Sequence, residues 1–161
     1  MIGVITTFFG AGRLRPAPGT WGSLAALPAA LGVFYAIGVW GFLAATVAVF
    51  FIGWWATSVH TQGAEDHDPS YIVIDEVAGQ WIALWPVMIG AHQVGADVTA
   101  LWPGWVAAFV LFRLFDITKP GPIGWADRRG DALGVMLDDV IAGVFAAVGV
   151  VILAGLSHAV M

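Results

Sequence analysis

The stretch that decides the fold runs from Leu24 to Thr57, LAALPAALGVFYAIGVWGFLAATVAVFFIGWWAT, 34 residues without a charged side chain. As one helix it would be about 51 Å long, against a hydrocarbon core of about 30 Å. Gly32, Gly38 and Gly41 offer a place to reverse in its middle, because glycine adopts backbone conformations that other residues avoid. Two short, closely packed spans are therefore expected, and two spans return the chain to the side where it began.

Composition agrees with a membrane setting. Of the 161 residues, 60% are hydrophobic and only 11% are charged, where soluble domains carry about 25%. Mean hydropathy is +0.88. Nine tryptophans suit interfacial anchoring as well as core packing. The competing reading, a greasy soluble helical bundle, fits this balance less well. The length suits one domain, residues 1–161. A net charge of −5 gives no electrostatic footprint for nucleic acid. The absence of cysteine excludes a disulfide framework, a thiolate metal site and a cysteine nucleophile. The opening MIGVITTFFGAG lacks the basic region of a signal peptide and meets Arg13 too soon, so it is expected to be retained.

Ahead of the long apolar stretch lies GAGRLRPAPGTWGS, Gly10 to Ser23. Its Gly and Pro density argues against a continuous helix, Pro18-Gly19 reads as a turn, and Thr20 and Ser23 are candidate caps for the following helix. After it, HTQGAEDHDPSY (His60–Tyr71) is the first polar connection, followed by a helix from about Ile74 to Ile89 that carries Asp75 and Glu76 at its start. Ala91 to Thr99 reads as a loop, Val98 to Phe115 as a fourth apolar segment, and Val135 to Leu156 as the cleanest span. The expected fold is all-α: a compact polytopic membrane bundle of about five apolar helices with a polar site at their cytoplasmic ends. Five spans put the N-terminus, the 58–73 connection and the 113–134 loop on one side. All six cations (Arg13, Arg15, Arg113, Lys119, Arg128 and Arg129) fall there, which the positive-inside rule makes cytoplasmic.

Arg113 to Gly143, RLFDITKPGPIGWADRRGDALGVMLDDVIAG, holds four of the six cations and five of the eleven acids. Charges beside a membrane segment cost roughly 2.5–3.5 kcal/mol each at a helix centre, so this stretch is read as one wall of a polar active site. Asp138-Asp139 and the earlier Asp75-Glu76 each fall in the first turn of an expected helix. Dipole capping explains one acid there better than two. A hard divalent cation such as Mg²⁺, which takes oxygen ligands, explains both pairs. Two stripes, Glu76–Gly79–Gln80–Ala83 and Asp139–Ala142–Gly143–Ala146, would let these helices approach closely and bring their acids together. The cations can bind phosphate oxygens, although attraction to anionic headgroups competes as an explanation for Arg128-Arg129 and an Arg113–Asp116 ion pair for Arg113. His60, His67, His92 and His158 have no metal-ligand spacing; His60 or His67 could carry a proton. Acids, cations and an interface together suggest metal-dependent chemistry on an anionic phosphate lipid, the metal neutralising the phosphate and acidifying an attacking water.

At these motifs the chain resembles the phosphatidylglycerophosphatase A family. The matching stretches are PAPGTWGS (Pro16–Ser23), DPSYIVIDEVAGQ (Asp68–Gln80), LFRLFDITKPGPIGWAD (Leu111–Asp127) and GVMLDDVIAG (Gly134–Gly143), about a third of the chain in four ordered blocks. The resemblance implies Mg²⁺-dependent removal of the terminal phosphate of phosphatidylglycerophosphate, giving phosphatidylglycerol, in the bacterial inner membrane. By matching position it implies that Asp75, Glu76, Asp138 and Asp139 serve the metal and the water. Arg113, Asp116, Lys119 and Asp127 would hold the phosphate end of the substrate, with Thr20, Ser23 and the backbone near Gly19 adding hydrogen bonds. One departure stands out: the family usually carries a Gly-Gly pair before Gly134, where this chain has Asp131-Ala132. The rival classes are a divalent-cation transporter, which would place its ionisable groups at mid-membrane depth, and a headgroup phosphotransferase, which would need an acceptor site.

Overall fold

The computed structural model describes residues 1–63 and 69–160; His67 lies outside them. The described residues contain helices and no strand. Six α-helices follow in order: α1 (Ile2–Thr6), α2 (Pro18–His60), α3 (Ile74–Val94), α4 (Trp102–Thr118), α5 (Pro122–Asp127) and α6 (Ala132–Val160), with short 3₁₀ turns at Ala11–Arg13 and Val98–Leu101.

The long apolar stretch reverses at the middle of its three candidate glycines. Gly38 has φ 71° and ψ −178°, non-helical values within α2, in a region open essentially to glycine alone. The contacts require a fold-back. Gly22 packs against Val73 and Gly53 against Ile74, yet a straight helix would hold the two glycines about 46 Å apart. One turn apart on α3, the Trp81 indole donates to the Ala26 carbonyl (2.9 Å) and the Trp85 indole to the Thr46 hydroxyl (3.3 Å), one partner from each arm. α2 is therefore a hairpin of two arms with α3 laid along both.

α3 is the centre of the bundle. From Ile74 to Leu84 every residue except Glu76 is buried, as expected of a helix apolar on all faces. Around it, three elements are long and apolar enough to cross a membrane: Pro18–His60, Val98–Thr118 and Ala132–Ser157. Their outer faces expose Trp40, Phe51, Trp55, Val110, Val148 and Ile152, apolar surface suited to lipid. α3 meets α6 backbone to backbone. A Cβ on Gly143 would run into the Gly79 carbonyl, and one on Gly79 into the Asp139 carbonyl and the Phe112 ring. The two small-residue stripes do face each other, and the acids one turn away are brought to one level.

Several local expectations are corrected. Pro18 does not make a turn but opens α2 at its first position, where its fixed φ and missing N–H cost nothing. Thr20 and Ser23 consequently sit inside the first turns rather than at the cap, which is Ala17 without a side-chain bond. α3 runs on to Val94 before Gly95 ends it in the left-handed conformation. α4 continues past Phe115 to Thr118. α6 begins at Ala132, which places Asp138-Asp139 in its second turn; no acid lies in its first. Asp131 explains the early start: its carboxylate accepts the Gly134 N–H at 2.7 Å, an N-cap bond that a Gly-Gly pair could not make.

The Gly79–Gly143 contact yields a stability prediction. Gly143→Ala should cost about 1–3 kcal/mol through overpacking, read as a lowered thermal midpoint in detergent. Gly90→Ala, where a Cβ meets nothing within 4 Å, should leave the midpoint unchanged or slightly raised.

Candidate active site

Ala17–Thr20 at the start of α2, Ser70 and Ile72 before α3, and the ends of α4 and α6 converge on one cavity of about 320 Å³. Its charged lining is Asp75 and Glu76 from α3, Arg113, Asp116 and Lys119 from the end of α4, and Asp138 and Asp139 from α6. At the other end of the bundle the Tyr35 hydroxyl donates to the Asp97 carboxylate at 3.2 Å, tying the α2 hairpin to the connection after α3. The polar cavity thus occupies one end, the end shared by all three connections that the apolar pattern put together.

Two carboxylate triads share a member. Asp75, Glu76 and Asp139 form one and Asp116, Asp138 and Asp139 the other, one oxygen from each residue lying within 4.8 Å of the others in its triad. Two cations answer them. Arg113 pairs with Asp116 at 2.5 Å and donates to the Ser23 hydroxyl at 3.4 Å. Lys119 bonds Asp138 at 2.7 Å and also pairs with Asp127. Burial disfavours the Lys119 charge, but its hydrogen bonds to Asp127 and Asp138 outweigh this and raise its pKa above the usual lysine range. It stays an ammonium throughout the physiological range.

Ionised, the five lining carboxylates exceed the two lining cations by three charges. Uncompensated buried charge costs several kcal/mol per ion. Among the described residues, Asp139 Oδ2 and Glu76 Oε2 are buried without a hydrogen-bond partner. An all-oxygen donor set with orphaned buried carboxylate oxygens fits a hard divalent cation. The residues that could hold one are Asp75, Glu76, Asp138 and Asp139, as read from the sequence, together with Asp116. The family resemblance places Asp116 with the substrate, and its i,i+3 spacing from Arg113 also fits an ordinary helical ion pair, so the sequence alone does not group it with the other acids.

The remaining candidates divide by distance. Thr20 lines the cavity. Ser23 is fully buried beneath it, bonded to the Gly19 carbonyl (2.9 Å) and to Arg113. Asp127 reaches the cavity only through Lys119. Gly19, expected to serve through its backbone, sits so close that a Cβ there would strike Glu76 Oε1 and lie 3.3 Å from both terminal Arg113 nitrogens. The start of α2 thus lines the cavity, and the first N–H groups of a helix, unbonded within it, attract anions. Arg129 is held by Asp131 at 3.0 Å, and neither it nor Arg128, Arg13 or Arg15 lines the cavity. His60 meets the Tyr71 hydroxyl at 3.3 Å and does not line this cavity.

The Lys119–Asp138 pair can be tested by a double-mutant cycle. Lys119→Met should lower stability by removing the partner of the buried Asp138 carboxylate, whereas Asp138→Asn should cost less, because Asp127 still answers Lys119. Together they should cost less than their sum, with a coupling of about 1–3 kcal/mol from chemical denaturation in detergent.

No solved structure matches the chain. A family model described as Phosphatidylglycerophosphatase A matches residues 4–154. A Haemophilus influenzae protein named Phosphatidylglycerophosphatase A is 37% identical over 148 residues, 91% of this chain and 85% of its own length. A protein of that name from Escherichia coli K12 is 36% identical over 86% of this chain and 75% of its own. A Bacteroides thetaiotaomicron protein, named as a candidate phosphatidylinositol-3-phosphatase, is 35% identical over 88% of this chain and 86% of its own. With a match across nearly the whole chain and relatives this similar over most of their length, the chain belongs to the phosphatidylglycerophosphatase A family, phosphatases of phosphate monoesters.

Proposed function

We propose that this protein, acting as a single membrane-embedded domain, removes the terminal phosphate of phosphatidylglycerophosphate with Mg²⁺, at the cytoplasmic face of the bacterial inner membrane. The observation that carries the reading is the excess of carboxylates gathered beside Arg113, Lys119 and the N-terminus of α2 at one end of an apolar bundle. A lipid can present its headgroup there while its chains remain in the hydrocarbon. The cytoplasmic assignment rests on all six cations belonging to this side.

Hydrolysis replaces the bond from phosphorus to the glycerol oxygen by one from phosphorus to a water oxygen, giving inorganic phosphate and phosphatidylglycerol. A bound Mg²⁺ would supply Lewis-acid neutralisation of the phosphoryl oxygens and lower the pKa of water. The chain's own groups do the rest. Arg113 and the free N–H groups at Gly19 and Thr20 hold non-bridging oxygens. Lys119, kept charged by Asp127 and Asp138, stabilises charge gathering during transfer. Glu76 and Asp139 are not ion-paired among the described residues and can take the proton of the attacking water. The departing glycerol oxygen gains a proton as it leaves.

A divalent-cation transporter would spread its acids through the bilayer depth. Here they sit in the first turn of α3, near the last turn of α4 and in the second turn of α6, which favours surface chemistry. The test is phosphate release from phosphatidylglycerophosphate by detergent-purified protein, with phosphatidylinositol 3-phosphate as a comparison substrate. Release should require Mg²⁺, vanish with excess chelator and return on adding the metal; none under any condition, from folded protein, would overturn the reading.

Two substitutions grade the site. Asp139→Asn, which removes the carboxylate common to both triads, should lower kcat on the order of 10³-fold. Asp127→Asn, acting through Lys119, should lower it about 10–100-fold. Mg²⁺ at a hundredfold excess over its Kd should stabilise the wild type by about 2.7 kcal/mol, an effect Asp139→Asn should largely remove in thermal unfolding.

A further inference from the structure

Beside the acidic cavity lies a second of about 360 Å³, lined by Gly3, Thr7, Gly12, Arg13, Arg15, His60 and Tyr71. Its electrostatics are opposite. Among the described residues it carries two guanidiniums, no lining carboxylate, and a Tyr71 hydroxyl and His60 imidazole 3.3 Å apart. Among the described residues no acid pairs with Arg13 or Arg15. Two guanidinium forks lining one cavity with a phenol and an imidazole make a donor-rich recess for a phosphate anion.

The loop bearing the arginines is held in place. Phe8, Phe9 and Gly10 all take positive φ (43°, 55° and 95°), a conformation that two phenylalanines hold only under strain. The Val73 N–H donates to the Thr6 carbonyl at 2.8 Å. Gly12 is buried so tightly that a Cβ would collide with the Tyr71 carbonyl. These contacts fix the backbone of the loop from which Arg13 and Arg15, both exposed, reach the rim of the cavity.

The segment that fixes them also divides the two cavities. Ser70 and Ile72 line the acidic one while Tyr71, between them, lines the basic one. A ligand with two phosphates joined by a short bridge could span this single-segment wall. We propose that the basic cavity binds a lipid phosphodiester while the acidic cavity holds the phosphate monoester. This rests on the phosphatase reading above, whose substrate carries a diester and a terminal monoester on either side of one glycerol. The two cavities sort the two phosphates by charge: the carboxylate-rich cavity takes its anion only with a metal, and the arginine-rich one takes the diester directly. The shared chemistry is a phosphodiester, contributed either by the substrate itself or by a neighbouring anionic lipid.

The probe is phosphatidylglycerol, which has the diester and no monoester. Labelled phosphatidylglycerol is titrated against purified protein in neutral detergent micelles. Binding by R13Q/R15Q should be about tenfold weaker than wild type, with an unchanged melting temperature, while Asp139→Asn should bind as wild type. Equal binding by the double variant and the wild type would overturn the proposal, as would equal weakening by Asp139→Asn. Tyr71→Phe, which keeps the ring and removes one donor, should weaken binding to a smaller degree. Kinetics in the same micelles identify the source. If the substrate supplies the diester, R13Q/R15Q raises KM for phosphatidylglycerophosphate about tenfold with kcat within a few-fold. If KM rises only in vesicles containing added anionic diester lipid, the site holds a neighbour's headgroup. Absence of phosphate release by the wild type would remove the phosphatase reading yet leave the phosphatidylglycerol titration interpretable.

Discussion

At Gly79 and Gly143 the backbones of α3 and α6 come closer than any pair of side chains would permit. In lipid, where apolar surface gains little by leaving the solvent, such backbone contact is a principal source of helix association. Its position fixes the chemistry. Asp139 stands one turn before Gly143, and Asp75 and Glu76 one turn before Gly79, so a crossing at the glycines brings both acid pairs to one depth. Phe112 packs against the same contact and carries the end of α4, with Arg113 and Asp116, to the cavity rim. A larger residue at either glycine would push these helices, and with them the two acid pairs, apart.

The cavity those helices enclose is electrostatically incomplete. Arg113 and Lys119 each answer a carboxylate, and Ser23 and Asp127 hold the two cations from behind. The shared Asp139 keeps a buried oxygen without a partner. This imbalance can be sustained because the site lies at the end of the bundle, where a cation and its waters can enter, rather than at mid-depth. The adjoining arginine cavity has the reverse character across a wall one segment thick. The bundle end therefore presents two neighbouring fields of opposite sign, a feature of the assembled helices and of no one helix alone.

Much of the architecture was legible because membrane segments are written in composition. An uncharged run too long for one crossing, interrupted by glycine, implied a hairpin, and Gly38 makes it. The acid pairs and small-residue stripes implied that α3 and α6 meet. Local boundaries were less legible. Pro18 reads equally as a turn residue or as a first helical residue, and what selects the second is the packing of Gly19 and Gly22 on Glu76 and Val73. Asp131, noted only as a departure from a family pattern, proves to cap α6 and lengthen it by a turn at its start, moving Asp138-Asp139 away from the helix terminus.

By itself the sequence determined that the chain folds as apolar helices, that its six cations belong to one side, and which acids and cations would be candidates for chemistry. These follow from hydrophobicity and from the cost of burying charge, which act residue by residue. Only the tertiary structure decided that Asp116 joins the carboxylates, that Gly19 brings the start of α2 against Glu76 and Arg113, and that Arg13 and Arg15 face a cavity of their own. Those outcomes depend on distances between segments far apart in the chain. Such distances are set by where two backbones can touch, a property no single segment carries.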